Sequence, residues 1–171
     1  AVQDEIAAAV VDALKLRLLP AQQPSTAGHH VPGTAAYKNF LLGRQLLNRA
    51  TEEGFHRAVG EFAQAVALEP GYAAALAGLA LAEAYASDYT DSDAAMLAGR
   101  ERAGDAAERA VASDPLLGEA YTARAVLRFV FDLDWNGGDA DFAHALVFNP
   151  GDVMTHWQYS RLLAALGRLP E

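Results

Sequence analysis

The chain has no cysteine, which removes disulfide frames, thiolate zinc sites and cysteine nucleophiles at once. It is short of positive charge: 13 Lys and Arg stand against 22 Asp and Glu, giving a formal charge of −9. A nucleic-acid-binding domain carries a basic face or stripe, so polyanions are not expected partners. Long apolar runs are missing as well. The longest alanine-leucine stretch, Ala73 to Ala82, is about half of the ~20 residues that a membrane helix needs. The first residues, Ala1 to Glu5, show neither a basic n-region nor an apolar h-region. A cytoplasmic protein with no membrane partner is the expectation, and a start without Met, already in helical register, points to a fragment of something longer. Long β-branched or aromatic runs are absent, which argues against a sandwich or barrel.

What is abundant is alanine, 38 of 171 residues, the residue that loses least on entering a helix. Residues 1–19 read as one amphipathic helix, since Ile6, Val10, Ala13, Leu14 and Leu18 recur at three- and four-residue steps. Residues 20–34, with Pro20, Pro24, Pro32 and His29-His30, read as a linker. From residue 35 to 171 the chain repeats. Ala58-x3-Phe62-x2-Ala65-x4-Pro70 is followed by Ala103-x3-Ala107-x2-Ala110-x4-Pro115 and by Gly138-x3-Phe142-x2-Ala145-x4-Pro150. Small residues let two antiparallel helices approach, the larger one fills the gap, and proline stops the second helix.

This pattern resembles the tetratricopeptide repeat (TPR), whose units are helical hairpins of about 34 residues. The resemblance implies an all-α superhelix of antiparallel pairs, an α-α solenoid with units 35–70, 71–115 and 116–150 and a partial unit 151–171. Leu42-Gly43 fits the L-G pair of the motif, Leu79-Ala80 follows, and Arg124-Ala125 is a poor match at the leucine. The family's tryptophan slot is held by Asn39, Leu76, Tyr121 and His156. About three residues too many fall at Asn48 to Gly54, and roughly eleven around Ala86 to Gly99, where an extra half-turn and disorder are both open.

A closer resemblance lies in Gln3-Asp4-Glu5-Ile6, Ala36-Tyr37, Leu42-Gly43-Arg44, the segment Ala63 to Pro70, Ala77-Gly78-Leu79-Ala80, Asp134-Trp135 and Leu166-Gly167-Arg168-Leu169. These are similar to the TPR region that follows a TolB-like domain in bacterial multidomain regulators. In that family the attached effector is a nucleotide cyclase, a Ser/Thr kinase or a winged-helix DNA-binding domain. The resemblance implies a signalling or transcription-regulatory context, with residues 1–19 closing a preceding domain.

Chemistry is sparse. Asp132-x-Asp134-x-Asn136-Gly137 matches the front of a calcium loop, but Ala143 stands where the bidentate Glu is required; a capped interhelical turn accounts for it. Asp88, Asp91 and Asp93 read as a solvated connection in which Ser92 or Asp93 caps the next helix. His56, His144 and His156 lack ligand spacing, and Gly99-x4-Gly104-Asp105 lacks the Lys and Ser/Thr of a phosphate loop. No catalytic residue, metal or cofactor is expected, and the protein reads as a binding module. The first helices should line the concave side, which nominates Tyr37, Phe40, Arg44, Asn48, Ala77, Leu81, Ala84, Tyr85, Glu119, Thr122, Val126, Trp157 and Arg161. Of these Arg44, Asn48, Tyr85, Glu119, Trp157 and Arg161 are the candidate contacts to a partner protein or peptide segment, because aromatic and arginine side chains dominate binding hot spots. Two other readings stay open: an intramolecular or dimerisation scaffold for the attached effector, and a fragment of a helical enzyme. Self-association is also expected, because the residues 1–19 helix and Leu162, Leu166 and Leu169 lack covering helices.

Overall fold

A computed structural model of the protein describes residues 32–168; the expected helix over residues 1–19, the linker as far as Val31, and Leu169 lie outside them. Among the described residues there are seven α-helices and no strand: α1 (Thr34–Leu47), α2 (Glu52–Leu68), α3 (Ala73–Ser87), α4 (Asp93–Ser113), α5 (Gly118–Val130), α6 (Trp135–Phe148) and α7 (Val153–Ala165).

The three second helices end by one mechanism. In α2, α4 and α6 the last helical residue lies two positions before Pro70, Pro115 or Pro150. The intervening residue is driven out of the helical region, as the residue before a proline tends to be: Glu69, Asp114 and Asn149 have φ of −139°, −144° and −137°. A tight turn follows each time, closed by N–H donation from Tyr72 to Glu69 O, from Leu117 to Asp114 O and from Asp152 to Asn149 O. In two of the tryptophan slots a polar ring then reaches back six residues. The Tyr121 hydroxyl donates to Pro115 O at 3.1 Å, and His156 Nε2 meets Pro150 O at 2.8 Å.

The repeated small-large-small pattern forms the core. Ala58, Phe62, Ala65, Ala103, Ala107, Ala110 and Phe142 are fully buried, and Gly138 and Ala145 nearly so. Phe62 sits where the chain has removed side chains to admit it. A Cβ on Gly43 of α1 would lie 2.8 Å from the ring, and one on Gly78 of α3 would lie 2.4 Å from it. Leu42-Gly43 is therefore a seat for the phenyl ring of the following helix. Each hairpin packs helix against helix, and the first helices α1, α3, α5 and α7 also touch one another in series. The backbones of the second helices α2, α4 and α6 do not approach one another closely among the described residues. The first helices thus form a continuous layer with the second helices on its other side.

Charge pairs fix the register of this layer. Arg124 donates to both oxygens of buried Asp141 at 2.8 Å, Arg128 adds a third bond at 2.9 Å, and Glu108 accepts from Arg124 at 2.8 Å. This explains the arginine in a leucine slot: α5 is clipped to α4 and α6 through it. Arg102 grips Glu83 in the same two-pronged way, at 2.9 and 2.7 Å, between α4 and α3.

The surplus residues around Ala86 to Gly99 are neither a half-turn nor an open loop. They become a short turn and an N-terminal extension of α4, the longest described helix at 21 residues. Ser92 caps it, accepting from Ala95 N at 3.2 Å. The end of the array also differs from expectation. Leu162 is fully buried against Ala125, Val126 and Phe142, so it is covered without a further helix. Leu166 packs at the edge of the same cluster.

Candidate functional site

The layer of first helices carries a pocket of about 130 Å³. Phe40, Arg44, Leu47 and Asn48 of α1 and its end line one side. Ala74, Ala77, Gly78 and Leu81 of α3 form the floor with the Phe62 ring. Glu119 and Thr122 of α5, with Asp152 and Met154 at the start of α7, close the other side. Helical register places these residues: Ala74, Ala77, Gly78 and Leu81 are three and four apart and share one face of α3.

Its polar groups are of two kinds. Asp152 is held rigidly. One of its oxygens caps α7, accepting from Thr155 N at 2.9 Å, and also takes the Thr155 hydroxyl. Thr155 Oγ1 lies 2.5 Å from Thr122 Oγ1 in turn. With Thr155 donating to the carboxylate, the single Thr122 hydroxyl proton is shared between Thr155 Oγ1 and the Gly118 carbonyl, 3.2 Å away. Both threonines are buried, so this chain sets Oδ2 of Asp152 and leaves Oδ1 available. Arg44, Asn48 and Glu119 are different, because their side-chain polar atoms make no hydrogen bond or ion pair among the described residues. Arg44 lies over the Phe40 ring, 5.6 Å from its centroid. Burial pushes the Glu119 carboxyl above the usual carboxylate range; Arg44 pulls it down and Asp152 pushes it up. Tyr72 at the start of α3 is pushed up to about 12, first by burial.

One turn further along the same layer lies a second cluster around buried Gln158. Its amide donates to the Tyr85 hydroxyl at 3.2 Å, while its carbonyl oxygen accepts from Arg161 at 2.8 Å. The Arg161 guanidinium lies over Trp157 at 5.1 Å and over Phe129 at 5.8 Å. Tyr85 packs at a tilt against Phe55, 5.2 Å between centroids, and burial raises its phenol. Trp157 keeps 55% of its surface exposed and does not pack away as a core residue.

The six candidate contacts thus divide. Arg44, Asn48 and Glu119 meet in the pocket, whereas Tyr85, Trp157 and Arg161 gather at Gln158. Among the wider nominations Ala77, Leu81 and Thr122 line the pocket, Tyr37 is exposed, and Phe40 is both core and lining. Ala84 and Val126 are instead interior residues, packed where adjacent helices meet. Sequence reasoning missed Asp152, Met154, Thr155 and Gln158. Asp152 follows Pro150-Gly151 and looks like a turn residue; only its position as the first cap of α7 could have flagged it. The acidic turns are structural: Asp134 caps α6, accepting from Gly137 N at 3.0 Å. Among the described residues no group of three or more acidic or histidine side chains could hold a metal ion, and no helix is long and apolar enough to cross a membrane.

The geometry has counterparts among solved structures. The Arabidopsis OM64 TPR domain superposes with a TM-score of 0.57 at 20% identity, over 77% of this chain and 96% of that one. The first TPR of Spaghetti (RPAP3), bound to the HSP90 peptide SRMEEVD, gives 0.58 at 16% identity, over 80% and 99%. The fold is an all-α, TPR-like solenoid. The second TPR domain of human RPAP3, in complex with the HSP70 peptide SGPTIEEVD, gives 0.51 at 20% identity, over 74% and 97%. At these identities the likeness is one of fold. No protein-family model matches the sequence, and no curated protein sequence matches it. The TPR-like array here sets its pocket on the layer of first helices, with three side chains whose polar atoms make no hydrogen bond among the described residues.

Proposed function

We propose that this TPR-like array is a protein-interaction module that binds a segment of a partner protein along its first-helix layer. The observation that carries the reading is the pocket itself: Arg44, Asn48 and Glu119 hold polar groups over an apolar floor without satisfying one another. Unmatched polar groups in a half-buried pocket are costly in isolation and become specific contacts when a ligand meets them. Tyr85, Trp157 and Arg161, one turn along, extend the contact surface with flat apolar area and a guanidinium. Two of the structurally similar TPR domains hold bound peptides, which supports a peptide-binding role. The wider setting, a TPR region inside a bacterial signalling or transcription regulator with an effector domain attached, rests on the sequence resemblance. No catalytic role is assigned.

A second reading, a dimerisation or intramolecular scaffold, is favoured by the exposed apolar side chains Val147, Val153 and Met154 near the end of the array. The two readings part in one experiment. Peptides selected from a displayed random library on the immobilised protein are tested against Ala74→Phe, which fills the pocket from a partly exposed position, and against the double variant Trp157→Ala, Arg161→Ala. Loss of binding with helical circular dichroism intact supports the module. Truncating a central anchor costs about 1–3 kcal/mol. Full retention by both variants puts binding elsewhere and favours the scaffold.

A further inference from the structure

The charge arrangement of the pocket narrows the chemistry of what it takes, on the reading that the first-helix layer binds a partner segment. A pocket built for a carboxylate would converge several cations on one point. This one converges anions. Glu119 and Asp152 face it from α5 and the start of α7, while Arg44 is the single cation that lines it. The nearby basic side chains of the layer are committed elsewhere: Arg124 and Arg128 hold Asp141 and Glu108, and Arg161 holds Gln158.

Both carboxylates have acceptor capacity to offer. Oδ1 of Asp152 is left over after capping, and the hydroxyl chain through Thr155 and Thr122 fixes the orientation of the group. Such preorganisation lowers the ordering cost of binding. Glu119 has no hydrogen bond among the described residues, and its carboxyl is raised by burial first and by Asp152 besides, against a pull from Arg44 that does not offset them. A cation placed beside it would reverse that effect. The apolar floor of Ala77, Leu81 and the Phe62 ring suits the methylene stem that a long basic side chain carries. A volume of about 130 Å³ is roughly ten times the ~10–15 Å³ that one water needs, which is room for one long side chain. Asn48 and Arg44, opposite, are donors suited to the carbonyl oxygens of the segment's backbone. The net charge of −9 steers basic segments toward the protein in the same sense.

We infer that the pocket selects a partner segment carrying a Lys or Arg side chain, which Glu119 and Asp152 accept, and discriminates against segments that present a carboxylate there.

The test uses a random twelve-residue peptide library displayed on phage and selected on the full chain at neutral pH. Enrichment of Lys or Arg at one position, next to apolar residues, is the expected result. In synthetic copies of a selected peptide, replacing that residue with Gln should weaken binding about tenfold, and Glu should weaken it further. Glu119→Gln should lose the same factor for the basic peptide and nothing for the Gln peptide, a coupling that a merely structural role for Glu119 would not produce. Selected peptides that are acidic, or that carry no basic residue, yet are lost on Ala74→Phe overturn this inference and leave the binding module standing. Peptides indifferent to Ala74→Phe and to the Trp157, Arg161 double variant, or no enrichment at all, overturn both.

Discussion

Replacing Gly78 with alanine sets two effects of known sign against each other. Gly78 lies inside α3, where alanine gains about 0.8–1.0 kcal/mol of helix propensity over glycine. Its Cβ, however, would stand 2.4 Å from Cε1 and 2.5 Å from Cζ of Phe62. Carbon atoms rest about 3.5–4.0 Å apart, so the ring would have to retreat by roughly 1 Å. Gly43 on α1 bounds it so closely that a Cβ there would lie 2.8 Å away, and the Phe40 ring is 6.1 Å off between centroids, so retreat is left only toward the pocket whose floor it forms. Overpacking of this kind costs about 1–3 kcal/mol. The net expectation is a loss of up to about 2 kcal/mol, or a fall in Tm of up to about 8 °C. Gly60→Ala in α2 is the matched control, because its Cβ meets nothing within 4 Å; it should stabilise by about 0.5–1 kcal/mol. In a double-mutant cycle, Phe62→Leu should relieve Gly78→Ala, with a coupling above about 0.5 kcal/mol. If thermal denaturation followed by circular dichroism shows Gly78→Ala stabilising like Gly60→Ala, the tight seat for Phe62 is wrong.

Asp141→Asn should destabilise by about 2–4 kcal/mol in guanidinium titration, because it leaves Arg124 and Arg128 around a neutral group that cannot match them. Glu119→Gln should stabilise the protein at pH 7: burial raises the folded carboxyl, so its cost is present above that value and is relieved as pH falls through it toward the unfolded value. The Tm advantage of the variant should therefore shrink on acidification, and an advantage independent of pH contradicts it. Ala50 has φ of 50°, in the left-handed region, so Ala50→Gly should stabilise by about 0.5–1 kcal/mol despite the added freedom of the unfolded chain. Calorimetric titration with millimolar calcium should be silent at Asp132, Asp134 and Asn136, and a saturable curve abolished by Asp134→Ala would refute the capping account.

The fold was legible wherever one residue's role depends on its own helix. Ala58, Phe62 and Ala65 lie at helical spacing and end at a proline, so burial and termination could both be read from order alone. Arg44, Asn48 and Glu119 were reached by the same register argument. What stayed hidden depends on partners distant in sequence. Arg124 looked like a defect in a leucine slot until Asp141, 17 residues on, supplied its counter-charge. Thr122 and Thr155 are 33 positions apart, and no local pattern announces that one hydroxyl will orient the other. The insertion near Ala86 to Gly99 failed for another reason: residues that lengthen an existing helix leave no punctuation except the Ser92 cap. Gln158 was passed over because the pairing of Tyr85 with Arg161 through it spans two helices.

The central claim is that a partner segment lies along the first-helix layer, across the pocket and the Gln158 cluster. Amide chemical-shift mapping with a selected peptide tests it most directly. The account predicts shifts at Asn48, Ala77, Leu81, Thr122, Thr155 and Gln158, with the far faces of α2, α4 and α6 unmoved. Shifts confined to those second helices, with the pocket amides unchanged at saturation, would contradict it.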